Sequence, residues 1–293
     1  MPLFFFTMTD ILTGLMLTTL TLATPLLLAA LGEAVSERAG IVNIGIEGVM
    51  LVAAFTGVAV CATTADTRFA PWLGLGAAVI GGLALTAAFA LLAVNLGCDA
   101  LLVGTALNIF ALGATAVARR ELVGDSNAAF VVPTLPLWSV PILALVLIVA
   151  AWYWLFRTSH GLGLRAAGEH SAAAASVGLS VARLRWSALL FSGLTCGLAG
   201  GYLALGLSNT FVEGMTAGRG FIALAIVIVG RRHPVGVSLA ALAFGAASAF
   251  QFRLQALGLD TIPYQFFLAL PYLLTLVAAM WFSPRPASHP AAK

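Results

Sequence analysis

Lysine is almost missing. Of 293 residues only Lys293 is one, and it stands far from any glycine-rich loop. A Walker-type phosphate cradle needs a lysine directly after its glycines, so this chain does not hydrolyse ATP by that route. Charge of either sign is scarce: 9% of residues are Asp, Glu, Lys or Arg, against about a quarter in soluble domains. Hydrophobic residues make up 61%. That balance excludes a soluble domain and requires an integral membrane protein. The three cysteines (Cys61, Cys98, Cys196) fall one per apolar run, with no CxxC and no Cys/His cluster. Neither a disulfide framework nor a zinc site is indicated, and buried structural thiols are the simpler reading. The histidines, His160, His170, His233 and His289, show no HExxH spacing, and no GxSxG elbow exists. No catalytic or metal-ligand set is therefore expected. The arginines fall in separate loops rather than on one patch, which argues against nucleic acid as a partner.

What fills the chain is apolar runs of about 20 residues, the length a helix needs to cross a bilayer. Helices rather than a barrel are indicated, because each run is continuous. Nine spans are predicted, within a range of eight to ten: 11–31, 41–63, 72–95, 99–118, 136–156, 184–207, 217–230, 235–255 and 264–282. The whole reads as one transmembrane domain over 1–283, followed by a flexible cytoplasmic tail, 284–293. No basic region precedes the first run, so it is expected to be a retained span. The seventh span is short, and EGMTAGRG before it is Gly-rich and charged, which suggests a re-entrant or broken segment.

Orientation follows the basic residues. With the loop 157–185 in the cytoplasm, the inner set is Arg38, Arg157, Arg165, Arg183, Arg185, Arg231, Arg232, Arg285 and Lys293. The outer set is Arg68, Arg119, Arg120, Arg219 and Arg253, and the N-terminus lies outside.

Few polar residues interrupt the oil. Glu33, Glu37 and Arg38 are expected to pair near the headgroups. Asn43 and Glu47 stand deeper at i, i+4, which puts both on one face if a helix runs through them. An intramembrane acid faces the bundle interior or a water-filled cavity. Glu47 is thus read either as a lining or gating residue, or as a carboxylate held by Arg38 or by freed amides near Gly45 and Gly48. Glu213 and Arg219 read as a solvated pair in an outer loop, and Asn108 as an interhelical hydrogen-bonding residue. Gly193, Gly197 and Gly201 share one helix face, where two backbones can approach closely.

The loop 157–185 is too short for a domain and too ordered for a plain connector. Ser171 suits an N-cap, the alanines after it favour helix, and Gly178 suits a left-handed stop. A slim helix of about two turns is predicted, one that neighbours or a partner must hold, since isolated helices this short are marginal in water.

The run GLRAAGEHSAAAASVGLSVARLRWSALLFSGLTCGLAGGYLALG resembles the coupling-helix region of bacterial ABC importer permeases for branched-chain amino acids, simple sugars and nucleosides. SERAGIVNIGIEGVML and FVEGMTAGRGFIALAIVIVGRRHPVG resemble, more narrowly, permeases of nucleosides and simple sugars that work with binding lipoproteins of the basic-membrane-protein type. The resemblance implies an all-α polytopic permease in the bacterial plasma (inner) membrane. Its implied partners are a longer second permease, a cytoplasmic ATPase that carries ATP and Mg²⁺, and an extracytoplasmic binding protein. Residues 167–178 would then be the coupling helix, with Arg165, Glu169, His170, Ser171, Ala172, Ala173, Ala174 and Gly178 docking on the ATPase. Ala172 stands where such loops carry an acid, and Arg165 or Glu169 would supply charge instead. Asn43, Glu47, Asn108, Glu213 and Arg219 become candidates for the translocation path. A rival reading is an ion-coupled secondary transporter with Glu47 as the ion site. A membrane enzyme finds no nucleophile, base or metal set.

Overall fold

The computed structural model describes residues 8–123 and 131–256. Their regular structure is helical: α1 (Met8–Arg38), α2 (Ile46–Thr63), α3 (Ala70–Ala90), α4 (Ala100–Val123), α5 (Ser139–Arg157), α6 (Ser159–Glu169), α7 (Ser171–Ser176), α8 (Val181–Tyr202), α9 (Arg219–Val229) and α10 (Pro234–Ala256). Helix α3 continues as a π-helical turn over Leu91–Asn95, and α8 over Leu203–Ser208. Seven helices among the described residues are long and apolar enough to cross a bilayer, and α9 is a shorter apolar helix of 11 residues. Of nine expected spans, seven are therefore full helices and the seventh in sequence is a half-length one. The ninth, 264–282, and the tail 284–293 lie outside the described residues.

Helix α8 is the axis of the bundle, packed against α1, α2 and α3. Its small residues explain the packing. A Cβ on Gly197 would lie 2.8 Å from Val79 Cα, one on Gly193 2.9 Å from Thr86 Cβ, and one on Gly201 2.7 Å from Ala78 Cβ. The stripe read from the sequence is thus a helix–helix contact with α3, which Gly82 completes from the other side. Helix α1 lies between α8 and α10, while α4 and α5 stand at the edge and expose apolar side chains such as Ile109, Phe110, Leu145 and Val149.

Three helix ends set the local geometry. Helix α1 runs on to Arg38 instead of stopping near residue 31, and closes in a Schellman turn. Gly40 is left-handed (φ 78°), with the Ile41 amide on the Ser36 carbonyl and the Gly40 amide on Glu37. Helix α7 ends in the same way at Gly178 (φ 86°). Helix α9 uses the same hydrogen bonds, from Arg231 to Ile228 and from Arg232 to Val227, but with Arg231 (φ 53°) and Arg232 (φ 54°) in the left-handed region. Such backbone costs a non-glycine residue about 1–2 kcal/mol. The preceding glycine is required elsewhere: a Cβ on Gly230 would lie 2.6 Å from Val237 Cα, where α10 backs onto α9.

Candidate functional site

Between Ile41 and Ile46 the chain turns back into the bundle without helical hydrogen bonds, and polar side chains satisfy what the break frees. Glu33, 0% exposed, accepts the Asn43 amide on Oε1 at 2.8 Å. Asn43 Oδ1 accepts the Gly45 amide at 3.0 Å. From α4, Asn108 Oδ1 accepts the Gly48 amide at 2.8 Å, and its Nδ2 donates to the Ile44 carbonyl at 3.0 Å. The interhelical role expected of Asn108 is what the structure shows. Two other expectations are corrected. Glu33 does not pair at the headgroups, because α1 continues past it and buries it. Asn43 and Glu47 do not share a helix face, because α2 begins only at Ile46. Nearer the end of α1, Glu37 receives Arg232 Nε at 2.6 Å and Arg38 Nε donates to the Arg232 carbonyl at 2.9 Å.

Glu47 finds neither Arg38 nor the amides near Gly45 and Gly48. Its Oε1 accepts the Gly218 amide at 2.8 Å and its Oε2 the Gly220 amide at 2.7 Å. These groups open α9, so a carboxylate sits on the positive end of a half-helix and satisfies donors that have no intrahelical partner. Gly218 is left-handed (φ 81°), and a Cβ on Gly220 would lie 2.7 Å from Glu47 Cα. Arg219 starts α9 beside Glu47. The 11 residues of α9, about 16 Å, separate it from the turn of Arg231 and Arg232. Arg219 Nη1 donates to the Met215 carbonyl at 2.9 Å. Glu213 makes its ion pair with Arg119 at 3.4 Å, not with Arg219.

The loop after α5 holds two helices rather than one. Helix α6 was not foreseen; its signal is Thr158, whose Oγ1 accepts the Gly161 amide at 3.0 Å as an N-cap. The chain bends at His170 (φ −145°, ψ 87°) before α7. His170 therefore holds the cap position, and Ser171 is the first residue of α7 rather than its cap. Gly178 ends α7 as expected, with its amide on Ala175 and that of Leu179 on Ala174. Glu169, His170, Ser171, Ala172 and Ala173 are exposed, and Ala174 is buried. Leu162 (60% exposed) and Val177 (75%) are apolar side chains standing open beside them. Arg165 turns inward, its guanidinium 5.0 Å from the Phe156 ring centre. Gly168 seats α6 on the end of α1: a Cβ there would strike the Arg38 carbonyl and lie 3.0 Å from the Gly40 amide. The loop thus rests on the helix break itself.

The described residues thus form a polytopic helical bundle with a half-helix inside and an exposed helical elbow at one end. The chain belongs to the family described as branched-chain amino acid transport system, permease component, which residues 15–279 match. It is 36% identical over 290 residues to the guanosine ABC transporter permease protein NupQ of Bacillus subtilis, covering 91% of each chain. It is 33% identical over 283 residues to the nucleoside ABC transporter permease protein NupC of Lactococcus lactis subsp. cremoris, covering 89% of each. The putative glucose ABC transporter permease protein TsgC13 of Haloferax volcanii is 36% identical over 268 residues, 85% of this chain and 80% of that one. Among solved structures, an inward-facing conformation of a putative metal-chelate type ABC transporter shares the fold. Its TM-score is 0.53 and its identity 17%, over 90% of this chain and 86% of that one.

Proposed function

We propose that this permease imports nucleosides, or simple sugars related to them, across the bacterial plasma membrane. The observation that carries the reading is the end-to-end similarity to permeases named for guanosine and nucleosides. The coupling element is α6–α7. Leu162, Val177 and the small faces of Ala172 and Ala173 fit a groove on a separate ATPase, which binds and hydrolyses ATP with Mg²⁺. Glu169, with Arg165 behind it and His170 and Ser171 beside it, supplies the polarity that Ala172 lacks. Buried Ala174 and left-handed Gly178 fix the end of the element. Its seat on the α1 break at Gly168 carries movement to the spans. Asn43, Glu47 and Asn108 shape the wall of the translocation path, and Glu213 and Arg219 lie on its outer approach. A second, longer permease completes the path against an exposed face such as that of α4, and an extracytoplasmic binding protein delivers the substrate.

The test is reconstitution of the chain with its ATPase, second permease and binding protein in liposomes. ATP-dependent uptake of radiolabelled guanosine is expected, with ribose and glucose as competitors. Uptake by the chain alone without ATP would overturn the reading. Gly178→Pro should leave the protein inserted and abolish transport, since proline cannot reach φ 86° and cannot donate the amide.

A further inference from the structure

One end of the bundle holds more guanidinium than its carboxylates answer. Arg38, Arg165 and Arg232 meet there from α1, α6 and the α9–α10 turn. Arg232 is paired with Glu37. Arg38 spends one donor on the Arg232 carbonyl, and its guanidinium lies 5.6 Å from the Phe156 ring centre. Arg165 crowds the same ring at 5.0 Å, and the His233 ring packs on it at 5.1 Å. Among the described residues neither Arg38 nor Arg165 has a carboxylate within ion-pair distance. Arg165 Nε is buried without a hydrogen-bond partner. A guanidinium carries five N–H donors and no acceptor, so two of them on one ring repel each other and leave donors to fill. The neighbouring turn holds Arg231 and Arg232 in left-handed backbone, which adds positive charge here at the expense of strain.

The surface below this cluster is apolar. Ile142, Val146, Val149 and Tyr153 are exposed and fall at successive turns of α5, one stripe that ends at Phe156. We propose that Arg38 and Arg165, with Arg232 at their edge, bind the phosphate of an anionic phospholipid whose acyl chain lies along this α5 stripe. Guanidinium forks match phosphate oxygens in pairs. Basic pockets between membrane helices on the cytoplasmic side are where such headgroups bind. A soluble anion would leave the stripe unused. The ATPase is the weaker occupant, because Arg165 turns away from the open surface of α6–α7 and packs on Phe156. The inference stands independently of the coupling role given to α6–α7.

Native mass spectrometry of the full chain in detergent, titrated with phosphatidylglycerol or phosphatidylcholine, tests it. Phosphatidylglycerol should be retained preferentially. Arg165→Gln should weaken its retention about fivefold and Arg38→Gln with Arg165→Gln about 25-fold, since each basic group contributes about fivefold. Phosphatidylcholine binding should not change, and Arg165→Lys should keep most of the preference. Arg165 makes no hydrogen bond to the described residues, so its single variant decides the matter if the double variant does not fold. Equal retention of both lipids by the wild type would overturn the proposal. So would an unchanged preference in Arg165→Gln, or displacement of the lipid by millimolar inorganic phosphate, which would mark a free-anion site.

Discussion

Glu47 Oε2 accepts the amide of Gly220 at 2.7 Å, joining the first turn of α2 to the first turn of α9 across 173 positions of sequence. With the second bond to Gly218, this one carboxylate lets a half-helix begin inside the bundle. Hydrogen bonds to a charged group contribute about 1.5–3 kcal/mol each, and partial exposure of Glu47 lowers that. Glu47→Ala should therefore cost about 2 kcal/mol, read as a lower melting temperature in detergent. Glu47→Gln keeps one acceptor and opposes the other amide with an NH₂, so it should lose at least half as much. ATP dependence of transport should survive both changes. A Glu47→Gln variant that melts like the wild type while losing a proton or Na⁺ dependence of uptake would instead make Glu47 an ion site.

Gly168 and Arg38 set the contact between the α6–α7 loop and the α1 break. A methyl group at 168 meets the Arg38 carbonyl, which is backbone and cannot rotate away. Gly168→Ala should push α6 off the break at an overpacking cost of about 1–3 kcal/mol. The expected result is a chain that still purifies with its ATPase but moves less substrate per ATP hydrolysed. Unchanged stoichiometry would show that movement does not pass through this contact.

The sequence was most readable where one residue type has one use. Gly178 and the stripe Gly193, Gly197, Gly201 took the roles expected of them because left-handed backbone and close helix packing both require glycine. Asn108 was legible for a similar reason, since an amide deep in a span must find a partner. Partner identity was not legible. Glu47 points to Arg38 or to freed amides near Gly45 and Gly48, but the amides it takes belong to Gly218 and Gly220, and only the tertiary fold brings α9 there. Glu33 was misread because α1 runs on to Arg38, and propensity alone places helix ends poorly when polar residues continue a helix. Helix α6 escaped because SHGLGLRAAGE holds three glycines. Its cap Thr158 and its burial against α1 and α8 outweigh their cost.

Asn108 holds both edges of the break, so its loss leaves the Gly48 amide and the Ile44 carbonyl without partners. Unpaired buried backbone groups cost about 1–3 kcal/mol each. Asn108→Leu should lower the melting temperature by more than a substitution on the exposed side of α4, such as Ile109→Leu. Equal melting of the two variants would mean that α2 is held by packing alone.

His233 gives the chain a pH dependence with a definite sign. It lies outside the spans, and its Nδ1 accepts the Val235 amide at 3.2 Å while its ring packs on Phe156. Burial first, then the nearby Arg38 charge, hold its pKa below the ordinary value of 6.5. Protonation of Nδ1 would also forfeit the Val235 bond. As pH falls through 6.5, the unfolded chain takes up a proton that the folded chain still refuses, so stability declines from there down to the folded pKa. Above that window His233 is neutral in both states and contributes no pH dependence. Melting temperatures at pH 7.5 and 5.5 should therefore fall more on acidification in the wild type than in His233→Gln, and equal falls would contradict this assignment.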